Sequence, residues 1–295
     1  MASADNIAGI GMSAPDHAAQ PQDPAPGPAP GQVPGDLPGD LPGRAQQDDL
    51  LALLMRIGDD HLILGHRLSE WCGHAPMLEE DLALPNMALD LLGTARMCYG
   101  YAAEIEGGGK TEDDYAFLRD GTAFRHILMV EQPNGDFAYT ILRQFFFAAF
   151  MHPFWQDMTG LADPRLAAHA QKAVKELAYH IRHSGEWVIR LGDGTPESTR
   201  RMGEALDALS PYVGELFETD SISIALTTAG VLPDMEVVQR QFDATVAQTF
   251  RAATLPDYAP EFAHSGGRRG RHTEHLGHLL AELQFMQRAY PGQSW

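Results

Sequence analysis

Apolar residues recur at helical spacing along most of the chain after Asp48. The first such stretch ends before Gly73 and Pro76, and its apolar members are Leu50, Leu51, Leu54, Ile57, Leu62, Leu64 and Leu68. Residues three and four apart share one face of an α-helix, so this spacing predicts a long amphipathic helix over 48–71. The same criterion predicts helices over about 81–104, 113–129, 133–159, 163–191, 196–218, 234–253 and 272–290.

The breaks between these stretches are rich in glycine and proline, at Gly160, Gly192–Gly194 and Gly230–Pro233. Negative charge at Glu79–Asp81 suits the start of the second helix, and Pro85 either kinks this helix or lies in its first turn. No convincing run of alternating β-branched residues appears. Long amphipathic helices joined by short turns predict an all-α bundle.

Residues 1–46 have a different composition. They hold nine of the 20 prolines and many glycines and alanines, with almost no aromatic or β-branched residues. Such a segment cannot bury enough apolar surface to offset the entropy lost on ordering. The sequence therefore predicts a disordered tail over 1–46 and one helical domain over 47–295.

Charge and cysteine content narrow the class of protein. Lys+Arg 21 against Asp+Glu 40 give a net charge of -19, which disfavours binding to nucleic acid or to anionic membranes. The apolar run Phe145–Met151 is far shorter than a membrane span. Two cysteines, Cys72 and Cys98, are too few for a disulfide framework, and no signal peptide is recognisable. We expect a cytoplasmic protein.

Four separated motifs are similar to those of one protein family. They are Glu70-Trp71-Cys72-Gly73-His74-Ala75-Pro76, Asp90-Leu91-Leu92-Gly93, Val130-Glu131-Gln132-Pro133-Asn134-Gly135 and His272-Thr273-Glu274-His275-Leu276-Gly277. In this order they resemble the structural, non-catalytic subunit of the bacterial phenylacetyl-CoA 1,2-epoxidase, a multicomponent ring-epoxidising monooxygenase. The resemblance covers about residue 48 to Trp295.

The resemblance implies a ferritin-like helical bundle with additional helices. It also implies a hetero-oligomer with a homologous di-iron catalytic subunit, together with a small accessory subunit and an NADPH-dependent reductase, in aerobic phenylacetate degradation. The complex would insert one oxygen atom from dioxygen into the ring of phenylacetyl-CoA. The partner subunit would hold the iron and the substrate.

In the catalytic relative, two helices each carry a Glu-x-x-His pair of iron ligands. The resemblance places the corresponding positions of this chain at Leu91 or Leu92, Thr94 or Ala95, Leu177 and His180. Three of the four ligands are therefore absent, whereas a ferritin-like di-iron centre needs about four carboxylates and two imidazoles. We expect these positions to be vestigial, with no metal and no catalytic residue in this chain.

Charged residues near these positions form a candidate ion-pair cluster. Its members are Glu70, Glu131, Lys175, Glu176 and His180. Burying a carboxylate without a metal costs several kcal/mol unless it is paired. We therefore expect ion pairs to fill the vestigial site, with Arg96 and Arg143 as further cations.

A basic segment, Gly266–Arg271, stands out in this acidic chain. The candidate contacts to a partner subunit in and after it are Arg268, Arg269, Arg271, His272 and His275. His272, His275 and His278 recur every third residue, a step that drifts around a helix and favours a polar helix start or a contact between subunits over a metal site. We expect charge reversal of the three arginines to weaken assembly without unfolding the chain.

Two other interpretations stay open at the level of sequence. The chain could itself be a di-iron oxygenase whose ligands come from Glu70, Glu131, Glu176 and His180. It could instead be an acyl-CoA-binding scaffold, although no glycine-rich loop follows a strand to bind phosphate. The aromatic run beginning at Phe145 fits either a core or an interface helix.

Overall fold

The computed structural model describes residues 44–258, 260 and 262–293. Over this part of the chain the structure is helical, without a β-strand, which confirms the predicted all-α class. The helices are α1 (Arg44–Ser69), α2 (Leu78–Glu106), α3 (Glu112–Phe117), α4 (Leu128–Glu131), α5 (Phe137–Met158), α6 (Pro164–Gly192), α7 (Pro196–Val213), α8 (Ser221–Thr228), α9 (Met235–Ala252), α10 (Glu274–Leu283) and α11 (Phe285–Ala289). Short 3-10 turns lie at Gly121–Ala123, Gly214–Phe217 and Gly267–Arg269.

Two long helix pairs form the core. Helix α1 packs along α2, α5 packs along α6, and α7 and α9 also pack against α5. Every residue from Ile141 to Met151 is buried, so the aromatic run at Phe145–Phe147 is core and not a free surface. The ring of His61 on α1 meets Phe147 on α5 edge-on, with 5.2 Å between ring centroids, and so connects the two pairs.

Helix α6 shows why the apolar spacing predicts its position so well. Asp163 caps its start by accepting hydrogen bonds from the backbone N–H groups of Arg165 and Leu166, and Pro164 occupies the first turn, where its missing N–H costs nothing. The buried positions recur three or four residues apart; they include Leu166, Ala170, Ala173, Leu177, His180, Ser184 and Val188. One stripe of the helix therefore faces the core.

The single helix predicted over 113–129 is wrong. The chain instead forms α3, a 3-10 turn and the short helix α4. The backbone N–H of Arg125 donates to Asp59 at 2.6 Å, and that of Ile127 donates to Asp60 at 2.8 Å. In a continuous helix these backbone N–H groups would donate to carbonyl groups of the same helix. Because they donate to the carboxylates on α1 instead, the segment does not form one helix.

Several predicted boundaries also move. Helix α1 begins at Arg44, within the predicted tail; the rest of that tail, residues 1–43, lies outside the described residues. Helix α2 begins at Leu78, so Pro85 lies inside it and not in its first turn. The predicted helix over 272–290 divides at Gln284 into α10 and α11. None of the described helices is long and apolar enough to cross a membrane.

Candidate functional site

The predicted vestigial positions meet in the bundle centre. Leu91 and Thr94 of α2 and Leu177 and His180 of α6 line one cavity of about 10 Å³. Leu92 and Ala95, the other two candidates, do not line it. A cavity of this size holds at most about one water molecule. The side chains at the motif positions thus fill the space between the helices themselves.

His180 is fully engaged by neighbouring side chains. Its Nε2 lies 3.1 Å from the carboxylate of Asp90 on α2, and its Nδ1 lies 3.2 Å from the amide nitrogen of Gln144 on α5. Because a carboxylate only accepts, we assign the ring proton to Nε2, and Nδ1 then accepts from the amide. This arrangement uses both nitrogens of a neutral imidazole and leaves neither for a metal.

Helix α1 contributes His61 to the same cavity. Its Nδ1 donates to the backbone carbonyl of Ile57 at 2.8 Å, and burial lowers its pKa to about 3. The neighbouring carboxylates face other partners. Asp59 pairs with Arg119 and accepts from the hydroxyl of Tyr99, and Asp60 pairs with Arg268.

These residues do not fit a di-iron centre. The bundle centre offers the imidazoles of His61 and His180 and the carboxylates of Asp90 and Glu176. A ferritin-like centre needs about four carboxylates and two imidazoles directed inward. Here Asp90 is paired with His180, and Glu176 is paired at 2.9 Å with Lys172 on the same helix. Leu91 and Leu177 occupy positions at which the family resemblance predicts ligands of that centre.

The predicted ion-pair cluster does not form as one unit. Glu70 pairs with Arg67, Glu176 with Lys172, and Lys175 is exposed. The prediction grouped residues by their nearness to the motifs in sequence, but Glu70 and Glu176 each pair with a cation three or four residues away in the chain. Arg96 and Arg143, the other proposed cations, contact Glu112 and Asn134 respectively. One part of the expectation stands, because the pair between His180 and Asp90 does lie in the vestigial site.

Glu131 belongs to a second buried cluster away from the bundle centre. The Nε2 of His126 lies 2.7 Å from its Oε2, and the Nδ1 of His272 lies 3.0 Å from the same oxygen. Burial alone raises the pKa of Glu131, but the hydrogen bonds from the two imidazoles outweigh it and bring the pKa to about 2. Burial also lowers the pKa of His126. Sequence reasoning named Glu131 and His272 separately and missed His126.

The basic segment contributes to the interior as well as to the surface. Arg268 is paired at 2.8 Å with Asp60, which is fully buried, so its guanidinium is engaged within this chain. The side chain of His272 likewise faces Glu131, and the partner contacts of both residues stay predictions. Arg269 pairs with Glu218 at the surface, and Arg271 is exposed. Gly267 permits this close approach, because a Cβ there would lie 2.1 Å from the carbonyl oxygen of His126.

Comparison with known proteins identifies the family. The family model described as "Phenylacetic acid catabolic protein" matches residues 38–295. This chain belongs to that family. It is also 46% identical over 248 residues to one of the subunits of the 1,2-phenylacetyl-CoA epoxidase of Escherichia coli (strain K12), covering 84% of this chain and 100% of the relative. The all-α bundle is accordingly the ferritin-like fold that the resemblance implied.

One surface feature of the chain was missed by the sequence analysis. Leu78, Leu82 and Leu89 of α2 are 70%, 60% and 65% exposed. Their spacing of four and seven residues places them on one face of the helix, opposite the face that carries Leu84 and Leu91 into the core. We call these three residues the leucine face. Helix α2 is thus apolar on two sides, a pattern that the sequence already shows.

Proposed function

We propose that this chain is the non-catalytic structural subunit of a phenylacetyl-CoA 1,2-epoxidase complex in the cytoplasm. It stabilises a homologous catalytic subunit that holds the di-iron centre and the substrate. The complex acts in aerobic phenylacetate degradation, with electrons supplied through a separate NADPH-dependent reductase and with a small accessory subunit. The similarity to a relative named as a subunit of such an epoxidase supports this assignment.

The bundle centre is the observation that carries the non-catalytic role. Leu91, Thr94 and Leu177 fill three of the four Glu-x-x-His positions, and the fourth, His180, is bonded to Asp90 and Gln144. Leucine cannot ligate a metal, and the two carboxylates that line this centre are already paired within the chain. What the centre retains is a set of polar contacts between α2, α5 and α6, which is a structural use of the site.

The leucine face of α2 supports a role in assembly. Three exposed leucines on one helix face cost solubility unless another surface covers them. Covering a leucine side chain fully stabilises a complex by about 1.5–3 kcal/mol. We assign this face to the catalytic subunit.

The two competing functions find less support. An oxygenase using Glu70, Glu131, Glu176 and His180 is disfavoured, because these four side chains pair with different partners. An acyl-CoA scaffold would need free cations for phosphate, but in the basic segment Arg268 is paired with Asp60 and Arg269 with Glu218.

Substituting His180 in the assembled complex tests the proposal. His180→Gln removes the last motif imidazole of the bundle centre, so we expect turnover of phenylacetyl-CoA to stay within about twofold of wild type once assembly is matched by gel filtration. His183→Gln is the matched control, because His183 lies one turn away on α6 and pairs with Glu80 outside the cavity. A loss of turnover of about a hundredfold in His180→Gln alone, with assembly intact, would refute the non-catalytic role.

A further inference from the structure

The buried cluster of His126, Glu131 and His272 offers metal-binding chemistry that the proposed function does not use. His126 precedes α4, Glu131 ends it, and His272 lies just before α10. His126 and Glu131 are fully buried, and the side chain of His272 is 6% exposed. Two imidazoles and one carboxylate from two parts of the chain therefore meet with little access to bulk water.

The ligand atoms converge on a single point. The nitrogens of His126 and His272 both face Oε2 of Glu131, at 2.7 and 3.0 Å, and one ligand atom from each residue lies within 4.8 Å of the others. With bonds of about 2.0–2.1 Å, neighbouring ligand atoms of a tetrahedral zinc ion stand roughly 3.3 Å apart. The two distances from the histidine nitrogens to Oε2 of Glu131 would have to lengthen by a few tenths of an ångström to reach that separation.

Two of the three ligands have the outer contacts that metal ligands usually have. The Nε2 of His272 donates to the backbone carbonyl of Phe124 at 3.1 Å, which fixes the ring with Nδ1 toward Glu131. The Oε1 of Glu131 accepts from the backbone N–H of Thr273 at 2.6 Å, which leaves Oε2 for the shared point. Such contacts orient a ligand and set which nitrogen is free to bind.

Proton positions explain why a cation suits the cluster. His272 faces a carboxylate on one nitrogen and a carbonyl on the other, and both of these only accept. Without a metal, the ring must carry two protons beside a buried carboxylate. A divalent ion at Oε2 replaces the proton on Nδ1 of His272 and the one on Nε2 of His126.

We propose that His126, Glu131 and His272 bind one divalent transition-metal ion of the zinc type. The donor set of two imidazoles and one carboxylate is one that zinc adopts. The ion fastens the chain before α10 to α4, and it is separate from the bundle centre. The Nδ1 of His126 has no hydrogen-bond partner among the described residues. We therefore expect weaker binding than at sites in which every ligand has an outer contact.

Zinc titration of the full chain tests this site. The chain, dialysed against a chelator and then against buffer, should take up one Zn²⁺ per chain by isothermal titration calorimetry. Glu131→Gln and His272→Ala should each weaken binding at least tenfold. His278→Ala is the matched control, because His278 is exposed on α10, and it should bind as wild type does. Uptake that persists in His272→Ala, or no saturable uptake by wild type, would overturn the proposal.

A second measurement keeps the test valid if the variants fold poorly. With ¹⁵N-labelled histidine in the wild-type chain, zinc should shift the ring resonances of two of the 13 histidines, both protected from solvent. Shifts confined to exposed histidines would mean adventitious surface binding and would refute the site. Because the readout is zinc uptake and not turnover, its result does not depend on whether the chain is an epoxidase subunit.

Discussion

At the scale of single residues, each buried carboxylate on α1 and α4 has a defined partner. Asp59 pairs with Arg119, Asp60 with Arg268, and Glu131 with two histidines. Burying a charge is costly, and removing one member of such a pair leaves the other uncompensated. These pairs connect α1 to segments far along the chain, so single substitutions there affect the whole domain.

Arg268 gives the clearest test of this view. Arg268→Gln leaves Asp60 buried without its cation and should lower the free energy of unfolding by about 3–5 kcal/mol. Arg271→Gln, an exposed neighbour in the same segment, should change it by less than about 0.5 kcal/mol. Urea unfolding of both variants measures the difference. Equal stabilities would show that the buried pair contributes little.

His61 should make stability depend on pH. Burial lowers its folded pKa to about 3 from an ordinary 6.5, so the unfolded chain binds an extra proton between these values. Its contribution is complete above pH 6.5 and is lost as the pH falls toward 3, at up to about 1.4 kcal/mol per pH unit. Asp60 acts in the opposite sense, because burial raises its pKa to about 6. The comparison with a variant therefore isolates His61.

His61→Gln should reduce the slope of unfolding free energy against pH between pH 4.5 and 6. The change in slope should correspond to about one proton. His278→Gln, at an exposed position on α10, should leave the slope of wild type unchanged. Urea titrations at several pH values give both slopes. An unaltered slope in His61→Gln would contradict the assignment of a neutral, buried imidazole.

Part of the candidate site could be predicted from the sequence alone. The motif comparison narrowed the predicted vestigial positions to six residues, and four of them, Leu91, Thr94, Leu177 and His180, line one cavity. The clusters around Glu131 and Asp60 could not be predicted, because their members are far apart in sequence. His126 and His272, for example, lie 146 residues apart and meet with ring centroids 4.2 Å apart. Neither carries a local spacing signal.

At the scale of secondary-structure elements, the periodicity of apolar residues predicts the long amphipathic helices but not the segments that connect them. α1, α2, α5 and α6 lie where the apolar spacing places them. The segment over 113–129 fails because Asp59 and Asp60 capture its backbone donors, which is a tertiary effect that overrides local preference. Helix α8 was missed because its eight residues are too few to show a period.

The leucine face of α2 gives a testable prediction at the scale of single helices. Leu82→Glu places a charge in the proposed contact with the catalytic subunit, so co-purification of the two subunits should fall at least about tenfold. Ile224→Glu on α8 is the matched control, because Ile224 is 61% exposed and lies on a helix that packs against α1. Affinity purification of the co-expressed pair measures both.

Both substitutions are at exposed positions, so the unfolding free energy of the lone chain should change by less than about 0.5 kcal/mol. If Leu82→Glu retains the catalytic subunit at the wild-type level, the interface lies elsewhere on the chain. Loss of the subunit in Ile224→Glu alone would place the interface at α8.

At the scale of the whole molecule, the chain combines a ferritin-like fold with a centre whose lining residues do not fit the ligand set of a di-iron site. A bundle of this kind keeps its shape when leucines and a bonded imidazole replace the ligands, because the same side chains then pack the core. The net charge of -19 disfavours binding to nucleic acid, so proteins and small molecules are the expected partners. Under the proposed function, the fold serves assembly and the chemistry belongs to the complex.

The most direct test of the non-catalytic role is epoxidase turnover by the chain alone and by the chain co-expressed with its catalytic partner. Both preparations receive the reductase, NADPH, dioxygen and phenylacetyl-CoA, and the ring epoxide is quantified. We predict no turnover by the lone chain and turnover by the pair. Turnover by the lone chain would contradict the proposed role and would make this chain an oxygenase in its own right.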